Sequence, residues 1–424
     1  MNILLMTNTY KPIVGGIEKS IEDLSLECRS KGHNTLVVAP VFKNQPNEEE
    51  GVFRIPAIQN FNGTDFSVEV PVPGVLDSVL KDFKPDIVHS HHPFLIGDTA
   101  LRVSAERKIP IVFTHHTRYE KHTHYVPIRL GRMEKFIVEL STGYANLCDH
   151  VFAPSESIAR LIAARGVKTP VSVNPTGIYP KKFRQGDGAR FRKARSIPQN
   201  AYVIGYAGRV AAEKNINFLV KITAAFLKKH KDAYFLLVGD GPLLGKVKKY
   251  FGRKGLLPRL KCPGTLRNAD LRDAYHAMDV FLFVSKTETQ GLSLTEAMAS
   301  GVPAVALEAP GTREVVKNGW NGCLLSRESI QSFEAALDWI RDLEIRKRDI
   351  LKEGALRTAQ KFSAEKSADR ALEIYGKLIR KGYTRRNHER NPWKDATRLL
   401  KTEWQIVSNM AKAAGRAAKV LPAE

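Results

Sequence analysis

Val280–Pro303 reads VFLFVSKTETQGLSLTEAMASGVP and divides into three pieces of different character. VFLFVS is a short unbroken apolar run, the composition of a strand covered on both faces. KTETQG is polar and ends before a glycine. LSLTEAMAS has helical spacing until Gly301 and Pro303 stop it. A buried strand leading through a loop into a helix is the repeating unit of a parallel sheet wound by helices. Two carboxylates punctuate the unit, Glu288 in the loop and Glu296 in the first turns of the helix. Gln290, Gly291 and Leu292 offer backbone donors at the helix start, which satisfies an anion. Carboxylates beside such a place suit hydroxyl groups instead, such as those of a ribose and a hexose on either side of a diphosphate. An ion pair from Glu296 to a lysine is the structural alternative.

The unit recurs along the chain. A first series of strands is expected at Ile3 to Thr7, Thr35 to Ala39, Ile87 to Ser90, Ile111 to Thr114, Val151 to Ala153 and Val171 to Val173. A second is expected at Val203 to Ala207, Tyr234 to Val238, Val280 to Val284 and Ala304 to Leu307. Between them YPKKFRQGDGARFRKARSIP is polar, basic and glycine-containing, the composition of a linker. The expected organisation is α/β, with two doubly wound Rossmann-like domains facing a cleft and a C-terminal helical extension. Domain bounds are placed at 1–180 and 201–362, with a linker at 181–200, a returning helix at 363–382 and a basic amphipathic tail at 383–424. In such folds ligands bind at the carboxyl ends of strands.

A chain of 424 residues, 43% hydrophobic, suits two cores. No run of about 18 apolar residues reads as a spanning helix, and MNILLMTNTY suits a first strand rather than a signal peptide. Cys28, Cys148, Cys262 and Cys323 are too widely spaced for a Cys-x-x-Cys site. A cytoplasmic protein is expected. The net charge of +22 is unevenly spread: residues 1–100 carry −5, 101–200 carry +11 and 377–424 carry +8. Such blocks attract anionic surfaces, whether phospholipid or nucleic acid. No nucleic-acid reading motif accompanies them, so nucleic acid is not expected as a partner.

The other strand ends carry polar motifs. TYKPIVGGIEKS puts Gly15 and Gly16 before a helix, where backbone N–H groups meet an anion or simply make a tight turn. It is not the Gly-x-Gly-x-x-Gly of a dinucleotide site, which disfavours hydride transfer. VHSHHPF and VFTHHTRYEKHTHY crowd histidines at two ends, with no carboxylate or thiolate at a recognised metal spacing. They suit backbone hydrogen bonds, with one of them touching the reacting group as a polar donor. IGYAGRVAAEKN sets Arg209 and Lys214 five residues apart after a strand, placed for phosphate oxygens or for solvent. VGDGP is a further glycine-rich strand end.

Together GGIE, FTHHT, NPTGI, GRVAAEKN, VGDGP and ETQGLSLTEAMASGVP resemble the retaining glycosyltransferases of family four, which have the GT-B fold. The resemblance covers about residues 1 to 380 in order. It implies that Glu296 binds the nucleotide ribose and Glu288 the donor sugar hydroxyls. It implies that Arg209 and Lys214 hold the diphosphate, that Gly16 meets the phosphate or sugar, and that His116 contacts the transferring sugar. It also implies no metal and no cofactor beyond the nucleotide-sugar co-substrate. Retention would proceed by front-face displacement, the diphosphate oxygen taking the acceptor's proton. TETQG and FTHHTRYEKHTHYVP look more like the enzymes that glycosylate diacylglycerol. Thr289-Gln290 departs from the small or aromatic residue common in the family, and Asn174 stands where isoleucine is frequent.

HTRYEKHTHYVPIRLGRMEKF has the composition of an interfacial segment, and Arg118, Tyr119, Lys121, His124 and Tyr125 are its candidate acceptor or membrane residues. In the tail, Trp393, Thr397, Leu400, Trp404, Val407, Ala411, Ala414, Ala418 and Leu421 recur in alternating steps of four and three, with Lys394, Arg398, Lys401, Lys412 and Lys419 beside them. Core packing, a thin coiled-coil seam and a membrane surface are the open readings. The expected activity is transfer of a hexose, from UDP-glucose, to a membrane lipid such as diacylglycerol at the inner face of the cell membrane. A soluble or polyprenyl-linked glycan acceptor is the alternative, as is a non-catalytic sugar-nucleotide or anionic-surface binding protein.

Overall fold

The computed structural model describes residues 1–13, 15–58, 68–69, 74–120, 130–386 and 392–418. The chain forms two units, Met1–Gly177 with Ala364–Glu424, and Ile178–Ser363.

The first unit is built on a seven-stranded parallel sheet. Its spatial order is Val52–Ile55, Asn34–Pro40, Asn2–Met6, Ile87–Ser90, Ile111–Thr114, His150–Ala153 and Val171–Val173. The strand order reverses beside Asn2–Met6, so the ends of Asn2–Met6 and Ile87–Ser90 form the switch point. Alternate residues feed two cores. Leu4, Met6, Val38, Val88 and Phe113 pack on one face, and Ile3, Leu5, Val37, Ile87 and Phe152 on the other.

The helix Ala364–Arg386 closes that second face with Ala368, Ala371 and Tyr375 fully buried. Its small residues let it lie close to helix Gly16–Ser30. Asn174, at the end of the last strand, is bonded reciprocally to Ser367: its amide donates to the Ser367 carbonyl and its oxygen accepts from the Ser367 hydroxyl, both at 3.2 Å. The asparagine thus pins the returning helix.

The second unit has a six-stranded parallel sheet in the order Leu260–Gly264, Ala233–Val238, Tyr202–Ala207, Val280–Phe283, Ala304–Leu307, Gly322–Leu325. Its switch point lies at the ends of Tyr202–Ala207 and Val280–Phe283. The ten strands expected from sequence are present; the first sheet gains one further strand at an edge and the second gains one at each edge. Residues 181–200 are not a linker: they belong to the second unit and include helix Gly188–Ala194. Two of their cations pair with acids of the second unit, the exposed Arg190 with Asp273 and the half-buried Arg192 with Asp279 and the Ala277 carbonyl.

The tail forms a 27-residue helix, Pro392–Ala418, in the first unit. It packs on helices Leu130–Ala145 and Ile96–Arg107 through Ile406 and Ala413, both buried. Asn409 approaches Gly143, where any side chain would collide with it, and donates to the Leu140 carbonyl at 3.1 Å. Arg102–Glu403 and Arg416–Glu139 ion pairs flank the contact. The regular stripe is therefore not the packed face: Leu400 and Trp404 are each 72% exposed, and Val407, Ala411 and Ala414 are exposed beside them. Among the described residues no helix is long and apolar enough to cross a membrane.

Candidate active site

In the second unit the loop after Val280–Phe283 is clipped to the loop after Tyr202–Ala207. Thr287 donates to the Glu213 carbonyl at 3.1 Å, and Asn215 donates to the Val284 carbonyl at 3.0 Å. This brings Lys214 onto Glu288 as a half-buried ion pair. The two residues that sequence assigned to different parts of a donor therefore touch. The exposed Arg209 and the adjacent helix start add positive potential beside this pair.

That helix, Leu292–Ala299, begins at Gly291 with φ 80°, a left-handed conformation that glycine adopts without strain. As a glycine, this N-cap residue supplies no side-chain cap of its own. Gln290 is buried just before it, and Leu292 opens it. One turn in, Glu296 is buried and accepts a 2.9 Å hydrogen bond from the Tyr275 hydroxyl. Burial, and then the Glu296 charge, push the Tyr275 hydroxyl well above its ordinary pKa, so it remains a donor. Glu296 and Glu288 lie to either side of the helix start along the chain, one fixed by a phenol and the other by an ammonium.

Tyr275 is a site residue that sequence reasoning missed. A tyrosine in an ordinary helical segment carries no signal of what its hydroxyl meets. Tyr206 is another: its hydroxyl donates to the Arg209 carbonyl at 3.0 Å and so shapes the loop that carries that cation.

In the first unit the switch point gathers five buried histidines, His89, His91, His92, His115 and His116. His89 bridges Thr114 and Tyr375, each at 2.6 Å. The Asn8 N–H donates to His92 Nδ1 at 3.2 Å, which puts the proton of neutral His92 on Nε2. His91 Nδ1 and His116 Nε2 are 2.8 Å apart, while His91 Nε2 has no partner. A bare buried nitrogen costs less than an orphaned N–H. We therefore assign the shared proton to His91 Nδ1 and the proton of His116 to Nδ1.

Burial lowers all five below the ordinary imidazole range, to about 3 for His89 and about 4 for His92 and His115. For His91 and His116 burial acts first and the neighbouring histidines add to it. His116 is a neutral polar group at neutral pH, able to donate without repelling a cation. Gly16 is exposed at the start of its helix, and a side chain there would meet nothing. The Glu18 carboxylate lies beside Gly15 and already occupies part of that positive helix end.

The interfacial candidates divide. Arg118 is held by Glu120 at 3.1 Å, and Glu120 also takes Arg165 at 2.8 Å. The Tyr119 ring packs on Phe94 and His115 with its hydroxyl buried. Lys121, His124 and Tyr125 lie outside the described residues, as does the Trp393 side chain. Among the described residues no three His, Cys, Asp or Glu side chains meet as a metal centre.

Residues 14–182 match the family model Glycosyltransferase Family 4, and 187–357 match Glycosyl transferases group 1. The chain is 28% identical over 330 residues to an alpha-monoglucosyldiacylglycerol synthase of Streptococcus pneumoniae, covering 76% of this chain and 75% of that one. It is 27% identical to a GDP-mannose-dependent alpha-mannosyltransferase of Corynebacterium glutamicum, covering 81% of each. Among solved structures, Anabaena HepE in complex with UDP superposes with a TM-score of 0.69 at 20% identity, covering 89% of this chain and all of that one.

Proposed function

From a chain that belongs to the glycosyltransferases, with a family 4 domain followed by a group 1 domain, we propose an enzyme that transfers glucose from UDP-glucose to diacylglycerol, with retention and without a metal. The observation that carries the donor half is the placement of Glu288 and Glu296 around a helix start whose N-cap is a glycine. In this reading Glu296 takes the ribose hydroxyls and Glu288 the hexose hydroxyls, while Arg209, Lys214 and the N–H groups near Gln290, Gly291 and Leu292 take the diphosphate. Gly16 and His116 are the remaining candidates for contact with the sugar. Catalysis then rests on positioning and on charge stabilisation of the leaving diphosphate, whose oxygen takes the acceptor's proton. The named activity of the pneumococcal relative supports the lipid acceptor.

The mannosyltransferase relative supports a second donor, GDP-mannose. Incubation with a panel of UDP- and GDP-sugars and lipid extract, followed by mass analysis of the product, decides between them. A hexosyl-diacylglycerol formed from UDP-glucose is the expected product. A glycosylated polyprenyl or soluble glycan, or no product from any donor, would overturn the proposal.

Tyr275→Phe removes one donor from a buried carboxylate, a loss worth about 1.5–3 kcal/mol for a charged acceptor. The donor KM should rise about tenfold or more with kcat changed far less, since a ribose contact binds ground and transition states alike. Initial rates against donor concentration test it, and an unchanged KM removes Glu296 from donor binding.

The exposed stripe of Leu400, Trp404 and Val407, carried on a segment of net charge +8 between 377 and 424, fits the surface of an anionic bilayer. We place the protein peripherally at the inner face of the cell membrane on that basis. Leu400→Ser with Trp404→Ser alters only exposed side chains, so the fold should hold. Flotation with phosphatidylglycerol vesicles should drop at least tenfold, and equal flotation would refute the docking surface.

A further inference from the structure

A cavity of about 490 Å³ lies at the end of the first sheet opposite the histidines. It is bounded by helix Ile96–Arg107, the end of helix Ala364–Arg386 and the first half of Pro392–Ala418, over the start of strand Ile111–Thr114. Four cations line it, Lys108, Lys381, Arg398 and Lys401, against one acid, Asp149. Asp149 accepts from the Ile111 N–H at 2.9 Å, and one carboxylate leaves the lining with an excess of positive charge. Three separate segments of chain thus bring like charges to one hollow.

Helix dipoles explain only part of this. Lys108 follows a helix C-terminus, and Lys381 lies near another, where cations are favourable. Arg398 and Lys401 lie in the second and third turns of helix Pro392–Ala418, beyond the reach of its dipole at either end. Their convergence on Lys108 and Lys381 is explained by an anion that all four share. A phosphate group suits the set, because its oxygens accept several charge-assisted bonds at once. The apolar side of the hollow, with Leu101, Ile109, Leu147 and Leu378, accommodates an attached glycerol or acyl stem.

We infer that this cavity binds a phosphate group, borne by a phospholipid or free, and that its occupant ties the tail helix to the body of the first unit. The cavity is remote from the strand carboxyl ends that carry the histidines, so its occupancy is separate from sugar transfer.

Calorimetric titration of the full chain with inorganic phosphate and with dihexanoylphosphatidylglycerol tests it, comparing wild type with Lys108→Gln/Lys381→Gln. Both lysines lie off the tail helix, so the exposed stripe is untouched. At least one probe should bind, and the double variant should bind it at least tenfold more weakly. Binding of the lipid alone identifies a headgroup with its glycerol, binding of phosphate alone identifies the free ion, and binding of both identifies the phosphate itself as sufficient. Phosphate that binds only at the transfer site would be held equally by both proteins. Equal affinity, or no binding of either probe, overturns the inference. Lys401→Gln provides an independent arm: its affinity should fall severalfold, and unchanged affinity there also overturns the inference.

Discussion

Glu288→Gln should lower sugar transfer by about 10² to 10³, the loss typical of one preorganised group at a reacting centre. The substitution keeps the shape of the side chain and removes its charge. Its structural cost is small, because the pair with Lys214 is partly open to water and such pairs contribute about 1 kcal/mol at most. The melting temperature should therefore hold while turnover collapses. Lys214 would also lose the partner that fixes it, so the diphosphate and the hexose would be misplaced together. Turnover within threefold of wild type, measured at saturating donor and acceptor, would remove Glu288 from the transferring sugar.

Between pH 7 and 5.5 the first unit should lose several kcal/mol of stability. The five histidines of its cluster are depressed in the folded state, to about 3 for His89 and about 4 for His92 and His115. His91 and His116 are lowered as well. Unfolded imidazoles titrate near 6.5. As pH falls through that value the unfolded chain takes up protons and the folded chain does not, so stability falls until the folded pKa values are reached. Each histidine contributes about 1 kcal/mol over that interval.

Asp98 acts in the opposite direction, since burial raises its carboxyl to about 6 and protonation relieves that cost, but it is one group against five. The sum approaches the whole stability of an ordinary domain. Urea midpoints measured by near-ultraviolet circular dichroism should show a first transition that moves strongly with pH. A transition unmoved between pH 7.5 and 5.5 would contradict the burial of the cluster.

Central strands were legible because burial on both faces leaves an unbroken apolar run, as in Val280–Phe283 and Tyr234 to Val238. Besides the short pair Ala57–Ile58 and Val68–Glu69, the strands not anticipated are Val52–Ile55, Leu260–Gly264 and Gly322–Leu325, which lie at edges of the two large sheets, where one side lacks a neighbouring strand and the apolar signal weakens. The stretch 181–200 read as a linker because its charge is locally unbalanced. Its partners, Asp273 and Asp279, are some 80 residues away in sequence, where no local count can find them.

Glu288 and Glu296 were legible from their spacing around a glycine, whereas Tyr275 was not, because a phenol's partner depends on tertiary packing. The tail shows the limit of periodicity. Its regular stripe was found, but periodicity does not say which face meets the protein. That was decided by Gly143, whose missing side chain admits Asn409 and so turns Trp404 outward.

The division of the first unit between the two ends of the chain also sets an order of assembly. During synthesis residues 1–177 leave the ribosome before Tyr375 exists, and so before His89 can receive its phenolic partner or the second face of the sheet its cover. The second unit, Ile178–Ser363, is contiguous and can complete its core first. The histidine cluster is therefore finished last, and a polypeptide truncated before helix Ala364–Arg386 carries a contiguous second unit beside a first sheet that lacks the cover of its second face.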